Sequence, residues 1–123
     1  MDDQISWQVE LLVKDGQLER FRALTGEMVA STRREEGVLS YQRFVTGDGR
    51  FVYVYERYVN SAAALAHLKT FRLDYGDRFS SMVDRRRFTV FGQPTDELRK
   101  ILDGFGATYL TPFGAFPYWA KNL

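Results

Sequence analysis

The chain has 123 residues and a mass of 14.3 kDa, enough for one domain and too little for two. Hydrophobic residues make up 45% and charged residues 27%, a balance that excludes an intrinsically disordered or collagen-like chain. The formal net charge of +1 argues against a nucleic-acid binder, and the absence of cysteine excludes disulfides, thiolate metal sites and a cysteine nucleophile. Neither a signal peptide nor a membrane-spanning apolar run is recognisable, so we expect a soluble, cytoplasmic protein.

The chain opens with a predicted strand and a predicted helix. Apolar and polar residues alternate over residues 5–13, which is typical of a strand with one buried face. Helical spacing of apolar residues follows over residues 17–36. Asp15 is the expected N-cap of this helix, and Gly37 is expected to end it in a left-handed conformation.

Two further strands are predicted at residues 38–46 and 50–58, on either side of a Gly-Asp-Gly turn that is typical of a hairpin. The second of these strands is apolar on both faces, which indicates that both faces of the sheet are covered. A second helix follows, with Asn60 or Ser61 as its expected N-cap.

The C-terminal part is predicted to contain a strand over residues 87–91 and a short helix that ends at Gly104. From Phe105 to Trp119 the chain carries six aromatic residues interrupted by glycine and proline, which argues against a long regular element. Such an apolar tail is expected to pack on the domain or on a partner.

The predicted order of strand, helix, strand, strand, helix, strand is that of the ferredoxin-like split βαβ arrangement, an α+β fold. We expect a four-stranded antiparallel sheet with two helices on one face. Residues 1–123 form one predicted domain, with a core over residues 5–92 and a C-terminal helix and tail over residues 93–123. Because the second face of the sheet is also apolar, we expect another copy of the chain to cover it in a two-fold homodimer.

Three segments of the core carry a resemblance to a known family. They read EGVLSY at residues 36–41, FVYVYERY at residues 51–58 and AAALAH at residues 62–67. In sequence and spacing these segments resemble the antibiotic biosynthesis monooxygenase family, over roughly the whole split βαβ core.

The resemblance implies a dimeric α+β barrel in which two sheets pack face to face. The family includes cofactor-independent monooxygenases of aromatic polyketides and quinols, haem-degrading enzymes, and members without a known activity. Where haem-degrading relatives carry a tryptophan and an axial histidine, this chain has His67 and Asp77, and the second histidine of many members is Arg72 here. Haem is therefore not expected, and neither a metal nor another cofactor is predicted.

His67 is the predicted catalytic residue, because imidazole titrates near neutral pH. Helical spacing places it at the margin of the inward-facing stripe of the second helix. A flavin-free monooxygenase must bind a flat ring, remove a proton from it and exclude water while the resulting anion reacts with oxygen. His67 is a candidate for that base. The alternative is a packing histidine that hydrogen-bonds a carbonyl group or Glu56.

Four side chains are predicted to bind the substrate. Tyr41 and Arg43 share one face of their strand, and Tyr53 and Tyr55 share a face of the neighbouring strand. Phenol groups can orient the oxygens of a substrate, and a guanidinium group can stabilise an enolate. Ordinary packing of the sheet is the alternative for each tyrosine.

Glu56 is predicted to support catalysis by holding His67 in one tautomer, and a structural ion pair with Arg57 is the alternative. The basic run at residues 85–87 is interpreted as a solvated face rather than a site for phosphate or nucleic acid.

The leading functional prediction is oxidation of a small aromatic, polyketide or quinol-like metabolite by molecular oxygen, without metal or flavin. Two alternatives remain open: a non-catalytic module that binds a small apolar metabolite, and a cofactor-free isomerase or cyclase. The expected partners are a second copy of the chain and the small aromatic metabolite, with neither nucleic acid nor membrane.

Overall fold

The computed structural model describes residues 3–117 and 120–122 and has the α+β, ferredoxin-like fold predicted from the sequence. None of the helices in these residues is long and apolar enough to cross a membrane. In chain order the elements are β1 (Ile5–Val13), α1 (Leu18–Thr32), β2 (Val38–Val45), β3 (Phe51–Tyr58), α2 (Ser61–Asp74), α3 (Gly76–Met82), β4 (Val83–Phe91), α4 (Asp96–Gly104) and β5 (Thr108–Leu110).

The strands form one sheet in the order β2-β3-β1-β4-β5. Strand β1 lies in the centre and pairs antiparallel with β3 and β4, while β2 and β3 form the predicted hairpin. The sheet has five strands among the described residues rather than the expected four, because β5 pairs parallel with β4. A strand of three residues is too short to show a periodic pattern in the sequence.

Several predicted boundaries were wrong by a few residues. Helix α1 ends at Thr32, one turn before the predicted end, and its N-cap is Gln17 rather than Asp15. Strand β4 begins at Val83, four residues before the predicted start, directly after the short helix α3. The arginines at the start of β4 interrupt the apolar alternation on which the strand prediction depended.

The hydrophobic core lies between the inner face of the sheet and the helices. Every second residue of β1 is buried, and α1 buries residues three or four positions apart, as an amphipathic helix does. The opposite, outer face of the sheet is less covered: the Phe44 side chain is 58% exposed, and Tyr53 and Tyr55 are half-buried. The largest fully buried side chains are Trp7, Tyr58, Phe21, Ile5, Leu11, Leu24, Met28, Leu98, Leu102 and Val90.

Gly37 has a role that differs from the predicted one, because its backbone is not in the left-handed region. A Cβ atom at this position would overlap the Cβ of Ala63 in α2. The Gly37 carbonyl also accepts a hydrogen bond of 2.9 Å from the Val59 amide. Gly37 therefore permits close packing of the segment before β2 against the first turn of α2.

The first part of the C-terminal tail packs on the domain. The Phe105 ring stacks on Phe88 with 5.5 Å between centroids, and Tyr109 is half-buried in β5. Phe113 and Phe116 are exposed on the single chain, so for these two residues the predicted packing is left to a partner. Two further tail aromatics, at positions 118 and 119, lie outside the described residues.

We expect Gly37→Ala to lower the free energy of unfolding by about 1–3 kcal/mol, because the added methyl group overpacks the contact with Ala63. Denaturant titration followed by circular dichroism measures this loss. Gly47→Ala is the matched control, since a Cβ there meets open space. Adding Ala63→Gly to the first variant should recover most of the loss. Equal stability of Gly37→Ala and the unmodified protein would contradict the packing argument.

A chain that ends at Gly104 should lose about 2 kcal/mol or more of stability, because it lacks the partly buried ring of Phe105, which stacks on Phe88, and strand β5. The melting temperature checks this expectation. A chain that ends at Thr111 keeps both features and serves as the control, and its melting temperature should lie close to that of the full chain. Indistinguishable melting of the shorter chain would mean that the tail does not contribute to folding.

Candidate active site

A cavity of about 40 Å³ lies between the inner face of the sheet and helix α2. A buried water needs roughly 10–15 Å³ of such space, so the cavity is large enough for a few waters and too small for a ring system. Its wall is mainly apolar and aromatic. The ionisable side chains that line it are Tyr41, Arg43, Glu56, His67 and Arg85.

His67 lies on α2 and is only 4% exposed. Its Nδ1 atom lies 3.2 Å from both carboxylate oxygens of Glu35, and its Nε2 atom lies 3.6 Å from Oε1 of Glu56. A hydrogen bond from Nδ1–H to Glu35 fixes the tautomer in which Nε2 accepts a proton. The ring packs against the rings of Tyr41 and Tyr58, each with 5.5 Å between centroids. His67 is thus more deeply buried than the predicted marginal position.

Glu35 is the main residue of the site that the sequence analysis missed. The predicted helix over residues 17–36 includes this residue, whereas α1 ends at Thr32 and a turn follows. In this turn the Glu35 amide donates to the Thr32 carbonyl at 2.9 Å, and the Glu35 carbonyl accepts from Val38 at 3.1 Å. The turn places the Glu35 side chain against His67, whereas the neighbouring Glu36 is exposed. No sequence signal distinguishes the two glutamates.

Glu56 is buried on β3 and is held by two neutral donors. Its Oε1 atom accepts hydrogen bonds from Trp7 Nε1 at 3.0 Å and from the Tyr58 hydroxyl. Burial, followed by the nearby charge of Glu56, raises the pKa of Tyr58 well above its ordinary value, so Tyr58 remains a donor. Arg57 lies on the other face of β3 and donates to Gln4, so it forms no structural pair with Glu56.

Tyr41 and Arg43 lie together on the cavity side of β2. Arg43 donates from Nη2 to the Tyr41 hydroxyl at 2.7 Å and from Nη1 to Thr25 at 3.0 Å, and its buried Nε has no hydrogen-bond partner among the described residues. Burial raises the pKa of Tyr41 to about 12, although the Arg43 charge acts in the opposite direction. The site therefore holds a neutral phenol beside a guanidinium group whose hydrogen bonds are to neutral partners.

Tyr53 and Tyr55 do not line the cavity with His67, contrary to the predicted common site. Directly paired residues of neighbouring strands lie on the same face of a sheet, and Tyr41 pairs with Glu56. The odd-numbered positions of β3 therefore lie on the outer face, where the Tyr53 hydroxyl donates to Glu10 at 2.9 Å. The sequence pattern identified the alternation but not which face carries the helices.

Arg85 is a second cavity residue that the sequence analysis missed. Strand β1 pairs Glu10 with Arg87 and then Leu11 with Arg85, so Arg86 is the extra residue of a β-bulge. The bulge shifts the alternation by one residue and turns Arg85 inward, whereas Arg86 and Arg87 are exposed as expected. The Arg85 guanidinium lies 4.3 Å from the centroid of the Phe105 ring. Burial lowers the pKa of Arg85, and the charge of Glu56 opposes this effect.

The site combines a proton acceptor with groups that can stabilise negative charge. Nε2 of His67 is suited to accept a proton, the Glu35 carboxylate to stabilise the resulting imidazolium, and Arg43 to stabilise an anion. Within residues 3–117 and 120–122, no group of three or more histidine and carboxylate side chains is arranged to hold a metal ion.

The fold has counterparts among known proteins. Residues 5–84 match the family model described as "Antibiotic biosynthesis monooxygenase". The crystal structure of MupZ from Pseudomonas fluorescens is 20% identical, with a TM-score of 0.86 over 100% of this chain and 95% of MupZ. Rv0793 from Mycobacterium tuberculosis is 25% identical, with a TM-score of 0.64 over 76% of this chain and 96% of its own.

SnoaB from Streptomyces nogalater, described as a cofactor-independent oxygenase, is 13% identical. It has a TM-score of 0.65 over 76% of this chain and 95% of SnoaB. No curated protein matches the chain significantly in sequence. The family model covers residues 5–84, well over half of the chain. The chain therefore belongs to the antibiotic biosynthesis monooxygenase family.

Proposed function

We propose that the protein is a cofactor-independent monooxygenase that oxidises a small aromatic, polyketide or quinol-like metabolite. The observation that carries the proposal is the position of the His67 ring at the cavity wall, between the carboxylates of Glu35 and Glu56. Family membership supports it, and so does the similarity in fold to SnoaB.

The first step is removal of a proton from the substrate by Nε2 of His67. The imidazolium that forms keeps its Nδ1–H bond to Glu35, whose negative charge stabilises it. The electron pair of the broken bond remains on the substrate as an enolate or phenolate, which Arg43 stabilises. The apolar wall limits access of water to this anion.

Molecular oxygen then oxidises the substrate anion directly. With an anthrone-type substrate, the ring CH₂ group becomes a carbonyl: one oxygen atom enters the product and the other leaves as water with the two hydrogens of that carbon. The substrate supplies all the electrons, so the protein contributes proton transfer, orientation and exclusion of water.

We expect His67→Ala to lower turnover by roughly 10²–10⁴-fold, the usual contribution of a general base. Oxygen uptake with a panel of hydroquinones and anthrones measures the activity, and circular dichroism verifies the fold. Leu73→Ala is the control, because Leu73 is exposed on the same helix. Should the alanine variant fail to fold, His67→Gln preserves a polar side chain of similar size. Full activity in a folded His67 variant would contradict the role as base.

A cofactor-free isomerase or cyclase is the second candidate, and one observation favours it. Tyr41, with a pKa of about 12, is a protonated phenol at neutral pH in the same cavity as His67. A base and an acid in one cavity can remove a proton at one atom and return it at another. Conversion of the panel under nitrogen would favour this reaction over oxygenation. Binding without conversion, in air or under nitrogen, would favour the non-catalytic module.

We also propose that the protein is a homodimer that buries the outer face of the sheet. This face carries the half-buried rings of Phe51, Tyr53 and Tyr55 and the exposed ring of Phe44. Contiguous apolar patches of more than a few hundred Å² are uncommon on monomeric proteins.

Sedimentation velocity at low micromolar concentration should therefore give the mass of a dimer. Phe44→Glu places a charge in the proposed interface and should shift the protein towards monomer. Leu73→Glu adds the same charge to the exposed surface of α2 and should leave the dimer intact. A monomeric unmodified protein would contradict this arrangement.

A further inference from the structure

A surface groove of about 630 Å³ lies between helices α2, α3 and α4. Its wall shares Leu68, Phe71, Arg85 and Phe105 with the cavity that contains His67, so these four side chains form the junction between the two spaces. The cavity is too small for a metabolite, whereas the groove falls within the range of small-molecule sites. Most of any substrate that reaches His67 must therefore lie in the groove.

Arg85 is the charged residue of the junction. Its guanidinium carbon lies over the Phe105 ring at 4.3 Å and over the Phe79 ring at 5.6 Å from the centroids. In the described part of the chain it has no carboxylate within ion-pair distance and donates no side-chain hydrogen bond, in contrast to Arg43. Because these contacts with aromatic rings use none of its N–H groups in hydrogen bonds, the guanidinium group keeps its donors available for a bidentate contact with an anion.

The charged groups around Arg85 are compatible with an anionic ligand. The Glu56 carboxylate, whose charge reaches Arg85, is already bound by Trp7 and Tyr58. At the groove, Lys69 and Arg72 add positive charge, and Asp77 and Glu97 add negative charge. With Arg85 included, three cationic side chains oppose two acidic ones. Apolar side chains such as Leu65 and the partly exposed Ile101 line the same groove.

We propose that Arg85 is a specificity-determining residue that binds the acidic group of an elongated amphipathic substrate, with the apolar body of that substrate along Leu65 and Ile101. The inference rests on the proposed function in one respect, namely that the cavity with His67 is where the substrate reacts. It narrows the substrate class to molecules whose acidic group lies beside the reacting atoms.

Dodecanoate and dodecanol test this proposal, because they share an apolar chain and differ in charge. Isothermal titration calorimetry of the full-length protein, below the micellar concentration of dodecanoate, should give roughly tenfold or more tighter binding of the anion. Arg85→Leu should remove that preference by weakening dodecanoate alone. Arg86→Leu is the matched control, since this neighbouring arginine is exposed on the outer side of the bulge, and it should keep the preference.

Ile101→Glu should weaken both ligands if the apolar chain lies in the groove. Arg85→Gln replaces the leucine variant if that variant does not fold. Equal affinity for the two ligands, no binding of either, or an unchanged preference in a folded Arg85 variant would overturn the proposal. His67→Ala should keep the preference for dodecanoate, so a failure of the proposed catalytic role is distinguishable from a failure of anion recognition.

Discussion

The arrangement of the site depends on one constraint, the burial of the Glu56 carboxylate in the apolar layer between sheet and helices. A buried carboxylate is tolerated only where hydrogen-bond donors surround it. Trp7 supplies one from the strand paired directly opposite, and Tyr58 supplies another from two residues along β3. Because both donors belong to β1 and β3, two paired interior strands, the position of the Glu56 carboxylate is as fixed as the sheet itself, and His67 packs against a fixed partner.

The two faces of the sheet have different compositions. The inner face combines buried aliphatic and aromatic residues with a few polar and charged groups such as Glu56 and Arg43. On the outer face, tyrosines and polar residues alternate with partly exposed rings such as Phe44. Such a surface is apolar enough for the proposed dimer interface. The proposed catalysis and the proposed dimerisation therefore use opposite faces of the same strands.

Much of the fold could be predicted from the sequence, because alternation in β1 and β3 and the helical spacing in α1 are local signals. The grouping of Tyr41 with Arg43 followed from their spacing of two. The location of Tyr53 and Tyr55 on the outer face could not be predicted, because spacing does not reveal which face of a strand meets the helices. The contact of Glu35 with His67 depends on the residue at which α1 ends. The inward orientation of Arg85 depends on an irregularity in strand pairing. Both features arise from tertiary packing, which overrides local pattern.

The β-bulge at Arg86 has a consequence for how relatives of this protein are compared. Downstream of the bulge the inward positions of β4 are even-numbered, whereas upstream of it they are odd-numbered. A relative with the same residues but a regular strand would present Arg86, not Arg85, to the interior. A residue role inferred from a homologue along β4 is therefore assigned one position away from the correct residue unless the pairing of the strand is known. Loss of one of the three arginines would make the strand regular and still leave an arginine opposite Leu11, so the exposed surface and not the cavity would lose a positive charge.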